Sequence, residues 1–129
     1  MESLTSAKTT QENASALGFD WPDISGVFDK ILEELREVEE AVAHHDADHA
    51  KKELGDLLFA VINASRFLNA DPVRELNDAA DRFSKRFQLL LQKLSVQNTT
   101  IKECTAEELD AVWEQVKKER AKSNKNGLT

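Results

Sequence analysis

The chain is predicted to be all-α: a helical hairpin carrying a carboxylate metal site, in a four-helix-bundle-like core completed by dimerisation. Three observations lead there. Glycine (4) and proline (2) are scarce, while charged residues make up 32% and hydrophobic residues 40% of the 129 positions, a balance that suits a helical globular domain. Apolar residues return every three or four positions along four segments, with no β-strand signal between them. Five acidic residues, Glu33, Glu34, Glu37, Glu53 and Asp56, fall within two of those segments.

Residues 1–16, rich in Ser, Thr, Gln, Asn and charge, are expected to form a flexible lead-in. Leu17-Gly18-Phe19-Asp20-Trp21-Pro22-Asp23 is apolar and turn-rich, with Asp23 or Ser25 as an N-cap. The first strong helix spans about 24–43, with Ile24, Phe28, Ile31, Leu35, Val38 and Val42 at helical spacing. The second, about 48–69, carries Leu54, Leu57, Leu58, Val61 and Leu68 on one face. Glu53, Asp56, Ala60, Asn63 and Phe67 lie on another, and Phe59 and Ile62 fall outside it. A helix so apolar around its circumference asks to be buried on several sides, so a second subunit is expected to cover it.

Asp71-Pro72 caps and opens a third helix, in which Leu76, Ala80, Phe83, Phe87, Leu90 and Leu94 form a packing seam and Arg82, Lys85 and Arg86 the exposed side. Residues 95–104 are a polar connection. Thr105-Ala106-Glu107-Glu108 is a capping box that starts a fourth helix through about Arg120, with Leu109, Val112, Trp113 and Val116 apolar. One domain over 17–121 is expected, followed by a flexible tail at 122–129.

Glu34/Glu37 and Glu53/Asp56 each have the i, i+3 spacing that puts two carboxylates on one helix face. Glu37 and Glu53 stand eight residues either side of residue 45, and Glu34 and Asp56 eleven. A fold-back in His44-His45-Asp46-Ala47-Asp48 therefore brings all four to matching heights. Converging carboxylates repel unless protons or cations intervene, and hard oxygen ligands favour Mg²⁺ or Mn²⁺. The competing account is a solvated acidic face paired with Lys30, Arg36, Lys51 and Lys52.

Other residues carry similar pairs of readings. Asn63, two turns beyond Asp56, is either a buried amide bonded to backbone or a contact for a base or sugar edge. Arg82 and Arg86, i and i+4, are either a solvated flank or cations for a polyphosphate. Trp113 and Lys117 are core and surface residues, or together cover a base and touch a phosphate. His44, His45 and His49 are taken as turn and surface residues. Cys104 has no nearby basic partner, so a nucleophile is not expected, and one cysteine excludes an intramolecular disulfide framework. No glycine-rich phosphate loop occurs. The net charge of −7 argues against nucleic-acid binding. No apolar run approaches the roughly 20 residues needed to span a bilayer, and no signal-peptide core is seen; a cytoplasmic location is expected.

Lys30-Ile-Leu-Glu-Glu-Leu-Arg-Glu-Val38, Lys52-Glu-Leu-Gly-Asp-Leu-Leu-Phe-Ala-Val-Ile-Asn-Ala-Ser-Arg66 and Arg82-Phe-Ser-Lys-Arg-Phe87 resemble the MazG family of nucleoside triphosphate pyrophosphohydrolases. Leu17-Gly-Phe-Asp-Trp-Pro22 and Val112-Trp-Glu-Gln-Val-Lys117 extend the similarity over about 17–120. The acidic pattern is shared with dimeric dUTPases and phosphoribosyl-ATP pyrophosphohydrolases; the Glu-Leu-Gly-Asp-Leu-Leu-Phe-Ala and Arg-Phe-x-x-Arg-Phe runs point to MazG. The resemblance implies an all-α homodimer or higher oligomer and Mg²⁺-dependent cleavage of NTPs to NMP and pyrophosphate. It places Glu34, Glu37, Glu53 and Asp56 on the metal ligands and Glu33 on an extra acidic position beside them. Arg86, Trp113 and Lys117 fall on substrate-holding positions. The family's usual lysine is Arg82 here, which keeps the charge and alters its reach. Many MazG proteins carry two such domains in tandem, and this chain resembles the second, catalytic-type unit.

The expected chemistry is metal-assisted hydrolysis at the α–β phosphoanhydride of an NTP or dNTP. Glu33 or a ligand carboxylate accepts a proton, Arg82, Arg86 and Lys117 meet the leaving group's charge, and Trp113 and Asn63 contact the nucleoside. The alternatives are a pyrophosphatase narrowed to dUTP, dCTP or an oxidised dNTP, and a metal- or nucleotide-binding bundle without turnover.

Overall fold

A computed structural model describes residues 2–127, with side chains described through Lys122. It is all-helical: α1 (Glu2–Ala16), α2 (Ile24–Ala43), α3 (Ala47–Phe67), α4 (Pro72–Val96) and α5 (Ala106–Gly127), with a 3₁₀ turn at Ile101–Glu103. No strand occurs among the described residues. The chain divides into two compact units, the first ending at Leu76 and the second beginning at Asn77.

In the first unit α2 and α3 pack as the expected hairpin, and α1 lies against α3. Asp23 caps α2, its carboxylate accepting from the Ser25 amide at 2.9 Å and from the Ser25 hydroxyl. The fold-back is three residues long. His45 adopts φ 57°, and the Asp46 amide reaches back to the Ala41 carbonyl at 3.0 Å. That left-handed stop consumes the orphan carbonyls at the end of α2. Asp46 then caps α3 by accepting from the His49 amide at 3.1 Å.

The lead-in expected to be flexible differs from what is found: residues 2–16 are α1. Their composition is polar, yet three anchors tie the helix down. Lys8 Nζ donates to the Ala70 carbonyl at 3.0 Å, Gln11 Nε2 donates to the Phe59 carbonyl at 2.8 Å, and Ser15 Oγ donates to Asp20 at 2.6 Å. Gly18, at φ 98°, ends the helix, with the Phe19 amide donating to the Ala14 carbonyl at 3.0 Å. A side chain at that φ would be strained, so glycine is the residue that lets the chain turn there.

The second unit takes the rest of α4, the 3₁₀ turn and α5. Leu90, Leu94 and Val116 are its buried centre, joined by Leu89, Ile101, Leu109, Val112 and Trp113. Thr105 and Glu108 close the expected capping box: the Glu108 amide donates to Thr105 Oγ1 at 3.1 Å, and the Thr105 amide to Glu108 Oε1 at 2.9 Å. The tail expected at 122–129 is helical as far as Gly127, and 128–129 lie outside the described residues. Among the described residues no helix is long and apolar enough to cross a membrane.

Candidate active site

Hairpin geometry does what the mirrored spacing requires for three of the four expected ligands. Glu34 and Glu37 on α2 and Glu53 on α3 each offer an oxygen, all within 4.8 Å of one another. Glu34 and Glu53 are each only 5% exposed. Buried carboxylates are costly unless paired. Glu34 is paired on one side, where Lys30 Nζ lies 3.0 Å from Oε1. Its second oxygen and the second oxygen of Glu53 are buried without a hydrogen-bond partner. Asp56, exposed, stands three residues from Glu53 on α3 and lines the adjoining cavity.

Electrostatics divides the group. Lys30 holds Glu34 below the usual carboxylate range. Glu53 is pushed up to about 7, first by the Glu37 carboxylate beside it, then by burial, Glu34 and the charge of Asp56. Of the three, Glu53 is therefore the carboxyl whose proton is held most tightly. Two orphaned buried oxygens among converging acids suit a hard divalent ion, and Glu34, Glu37 and Glu53 are the residues whose oxygens converge to fit one.

Glu33 lies outside that three-carboxylate group. It is exposed, and its Oε1 is 3.4 Å from the same Lys30 Nζ that pairs with Glu34. Asn63 is half-buried on α3 and lines the cavity, with Oδ1 accepting from Arg66 Nε at 2.7 Å. The partner is therefore a side chain, not the backbone group expected for a buried amide. Arg82, Arg86, Trp113 and Lys117 belong to the second unit. There Trp113 packs against Phe83 with ring centroids 5.3 Å apart, Lys117 Nζ lies 3.4 Å from Glu114, Arg82 is exposed, and Arg86 Nε is buried without a partner.

Several residues of the first unit escaped the sequence reading. His49 Nε2 sits 3.6 Å from Glu53 Oε1, so this histidine, expected as a turn and surface residue, shares a helix face with a carboxylate of the cluster through an i, i+4 spacing that is visible in the sequence. A cavity of about 640 Å³ opens beside the carboxylates, and Gln11, Asp20, Trp21, Phe59 and Arg66 are among its lining. Arg66 grips Asp20 with both nitrogens of its fork, at 2.7 and 3.2 Å. No local spacing links 20 to 66 or 11 to 59; only the packing of α1 on α3 does. Gly26 leaves room for this wall, because a Cβ there would lie 2.6 Å from the Trp21 indole.

Comparison with known proteins bears on the same residues. Residues 25–89 match the model of the MazG nucleotide pyrophosphohydrolase domain. The nucleoside triphosphate pyrophosphohydrolase/pyrophosphatase MazG of Thermotoga maritima is 43% identical over 114 residues, which is 88% of this chain and 44% of that protein. The nucleoside triphosphate pyrophosphohydrolase of Escherichia coli K12 is 31% identical over 121 residues, 92% of this chain and 46% of that protein. The chain thus spans less than half the length of these curated relatives.

Proposed function

This chain belongs to the MazG nucleotide pyrophosphohydrolase family, and from that premise we propose that it hydrolyses nucleoside triphosphates, NTPs or dNTPs, at the α–β phosphoanhydride to NMP and pyrophosphate. The observation that carries the reading is the cluster of Glu34, Glu37 and Glu53, with two buried carboxylate oxygens lacking partners. Hydrolysis of a polyanion needs positive charge near the phosphates, and an acidic cluster attracts a triphosphate only through a cation.

Glu34, Glu37, Glu53 and Asp56 would hold Mg²⁺, or Mn²⁺ in its place. When bound, the ion supplies positive charge to phosphate oxygens and acidity to water. Lys30 keeps Glu34 ionised and so ready to bind. Glu33, or one of the ligand carboxylates, would accept the proton of the attacking water; what supports Glu33 is that it is an exposed acid beside the same ammonium. For Arg82, Arg86, Trp113 and Lys117 the support is the resemblance and their chemistry: three cations suited to phosphate and an indole suited to a base. Asn63 joins them because it lines the cavity beside the carboxylates. The cavity's aromatic lining, Phe19, Trp21 and Phe59, favours a nucleoside over bare polyphosphate. A homodimer, cytoplasmic and without nucleic-acid or membrane partners, completes the reading; exposed leucines and phenylalanines along α2 and α3 support the pairing.

The test is purified chain with Mg²⁺ and each NTP or dNTP, with products resolved by phosphorus NMR. Pyrophosphate and NMP are expected. Glu37→Ala and Asp56→Ala are each expected to lower turnover at least a hundredfold with the helical circular dichroism intact, and full activity in either would remove this site from the reaction. Thermal stabilisation by Mg²⁺ and NTP with no pyrophosphate released would instead mark a binding bundle.

A further inference from the structure

We propose that Gln11 reads the nucleobase, as a preset hydrogen-bond acceptor for an exocyclic amino group. The inference rests on the nucleotide reading above and goes further, to the base edge and the residue that recognises it. Gln11 is 6% exposed, on a helix that is otherwise mostly polar and exposed. Its Nε2 donates to the Phe59 carbonyl at 2.8 Å, and its Oε1 is buried with no partner. That bond fixes which end of the amide is which. A flipped amide would set Oε1 against the Phe59 carbonyl, two acceptors facing each other, and would lose the anchor of α1. Gln11 is itself one of the residues that line the cavity, together with Glu34 and Asp56.

A buried carbonyl without a partner is destabilising, so a donor delivered by a ligand satisfies a group that the protein leaves unpaired. Asn63 complements it. Its Oδ1 accepts from Arg66, so the group this cavity-lining side chain has left to give a ligand is its NH₂. One acceptor and one donor against aromatic walls suit a flat heterocycle with an N–H beside a ring nitrogen. Because Gln11 Oε1 is recessed, a substituent that protrudes from the ring reaches it better than a ring N–H flush between two neighbours. Cytosine and adenine carry that arrangement; uracil and thymine carry a carbonyl where the amino group would be, and two acceptors repel.

The experiment is equilibrium binding of 5′-monophosphates by calorimetry, so that it does not depend on turnover. CMP and AMP are compared with their deamino analogues, the 2-pyrimidinone and purine riboside monophosphates, in the wild type and in Gln11→Leu. We expect the wild type to prefer at least one amino base about fivefold, the worth of one neutral hydrogen bond, and Gln11→Leu to bind the members of that pair equally. A preference that survives in Gln11→Leu, or no preference in the wild type, overturns the assignment. The wild-type comparison stands alone should the variant not fold. If the donor were a ribose hydroxyl, dCMP and dAMP would bind Gln11→Leu and wild type alike while CMP and AMP would not, and the base would not be what Gln11 reads. Gln11-dependent binding without pyrophosphate release would sink the hydrolytic reading alone; turnover with no Gln11-dependent preference would sink this one alone.

Discussion

Glu53 is the side chain whose surroundings predict most. Its carboxyl is raised to about 7, with Glu37 the largest cause. A raised acid binds its proton more tightly folded than unfolded, so the stability it contributes is complete below the unfolded value near 4.5 and is lost as pH rises through about 7. The metal-free protein should therefore melt at a lower temperature at pH 8 than at pH 5.5, by the part of the pH profile that Glu53→Gln removes. Divalent binding should run the other way, since the proton on Glu53 competes with the cation. Mg²⁺ affinity measured by calorimetry should weaken at least several-fold from pH 8 to pH 6, and a flat profile would place the ion elsewhere. Asp20 is the opposite case: Arg66 first, then Ser15, hold it down to about 2. Its contribution is present in full above the unfolded value near 4 and fades only as pH falls through about 2. Asp20→Asn should cost about 1–2 kcal/mol at neutral pH, read from denaturant unfolding, because a forked ion pair with both partners mostly buried is traded for a weaker neutral contact.

Helices show where local pattern was sufficient and where it was not. The bounds of α2, the fold-back at residues 44–46, the Asp23 cap and the Thr105–Glu108 box were all legible, because each depends on residues within five positions of one another. The convergence of Glu34, Glu37 and Glu53 was legible once the turn was placed, because the mirrored spacing about residue 45 sets their heights on the two helices. Helix α1 was not. Its sequence has almost no apolar stripe, and what ties it to the rest of the unit is two side-chain hydrogen bonds whose partners at Ala70 and Phe59 lie beyond any local window. The cavity inherits that illegibility, since its wall of α1 and the 19–21 turn exists only after α1 has packed. Gly26 tests the wall. Gly26→Ala gains about 1 kcal/mol of helix propensity, while its Cβ would collide with the half-exposed Trp21 ring. With Trp113→Phe as background for the fluorescence alone, to isolate one indole, the substitution should shift Trp21 emission toward the solvent-exposed position; in the otherwise unchanged chain it should raise the KM for nucleotide several-fold, with melting temperature held or increased. An unchanged spectrum would mean that Trp21 does not lean on α2.

At the scale of the whole molecule, what stands out is apolar surface on a chain of net charge −7. Phe28, Leu32, Leu35 and Val42 on α2, Leu54, Leu58 and Val61 on α3, and Leu68 at the C-cap of α3 are all exposed. Within each helix they follow the same spacing of four, three and seven, so each set is one stripe. Contiguous apolar surface of this kind marks an interaction site in a soluble protein. Burying the exposed half of each such side chain is worth about 1 kcal/mol, so two hairpins meeting stripe to stripe have several kcal/mol to set against the loss of free translation. That is the proposed route to a four-helix core, and the acidic charge elsewhere keeps the pairing from growing without limit. Light scattering with size exclusion should return a mass of at least twice 14.5 kDa. Leu58→Lys should lower it to one chain at micromolar concentration without loss of the α-helical spectrum, because the position is already half exposed in a single chain and costs little to charge there. If the wild type runs as a monomer, the stripe has another occupant and the bundle is not made from two copies.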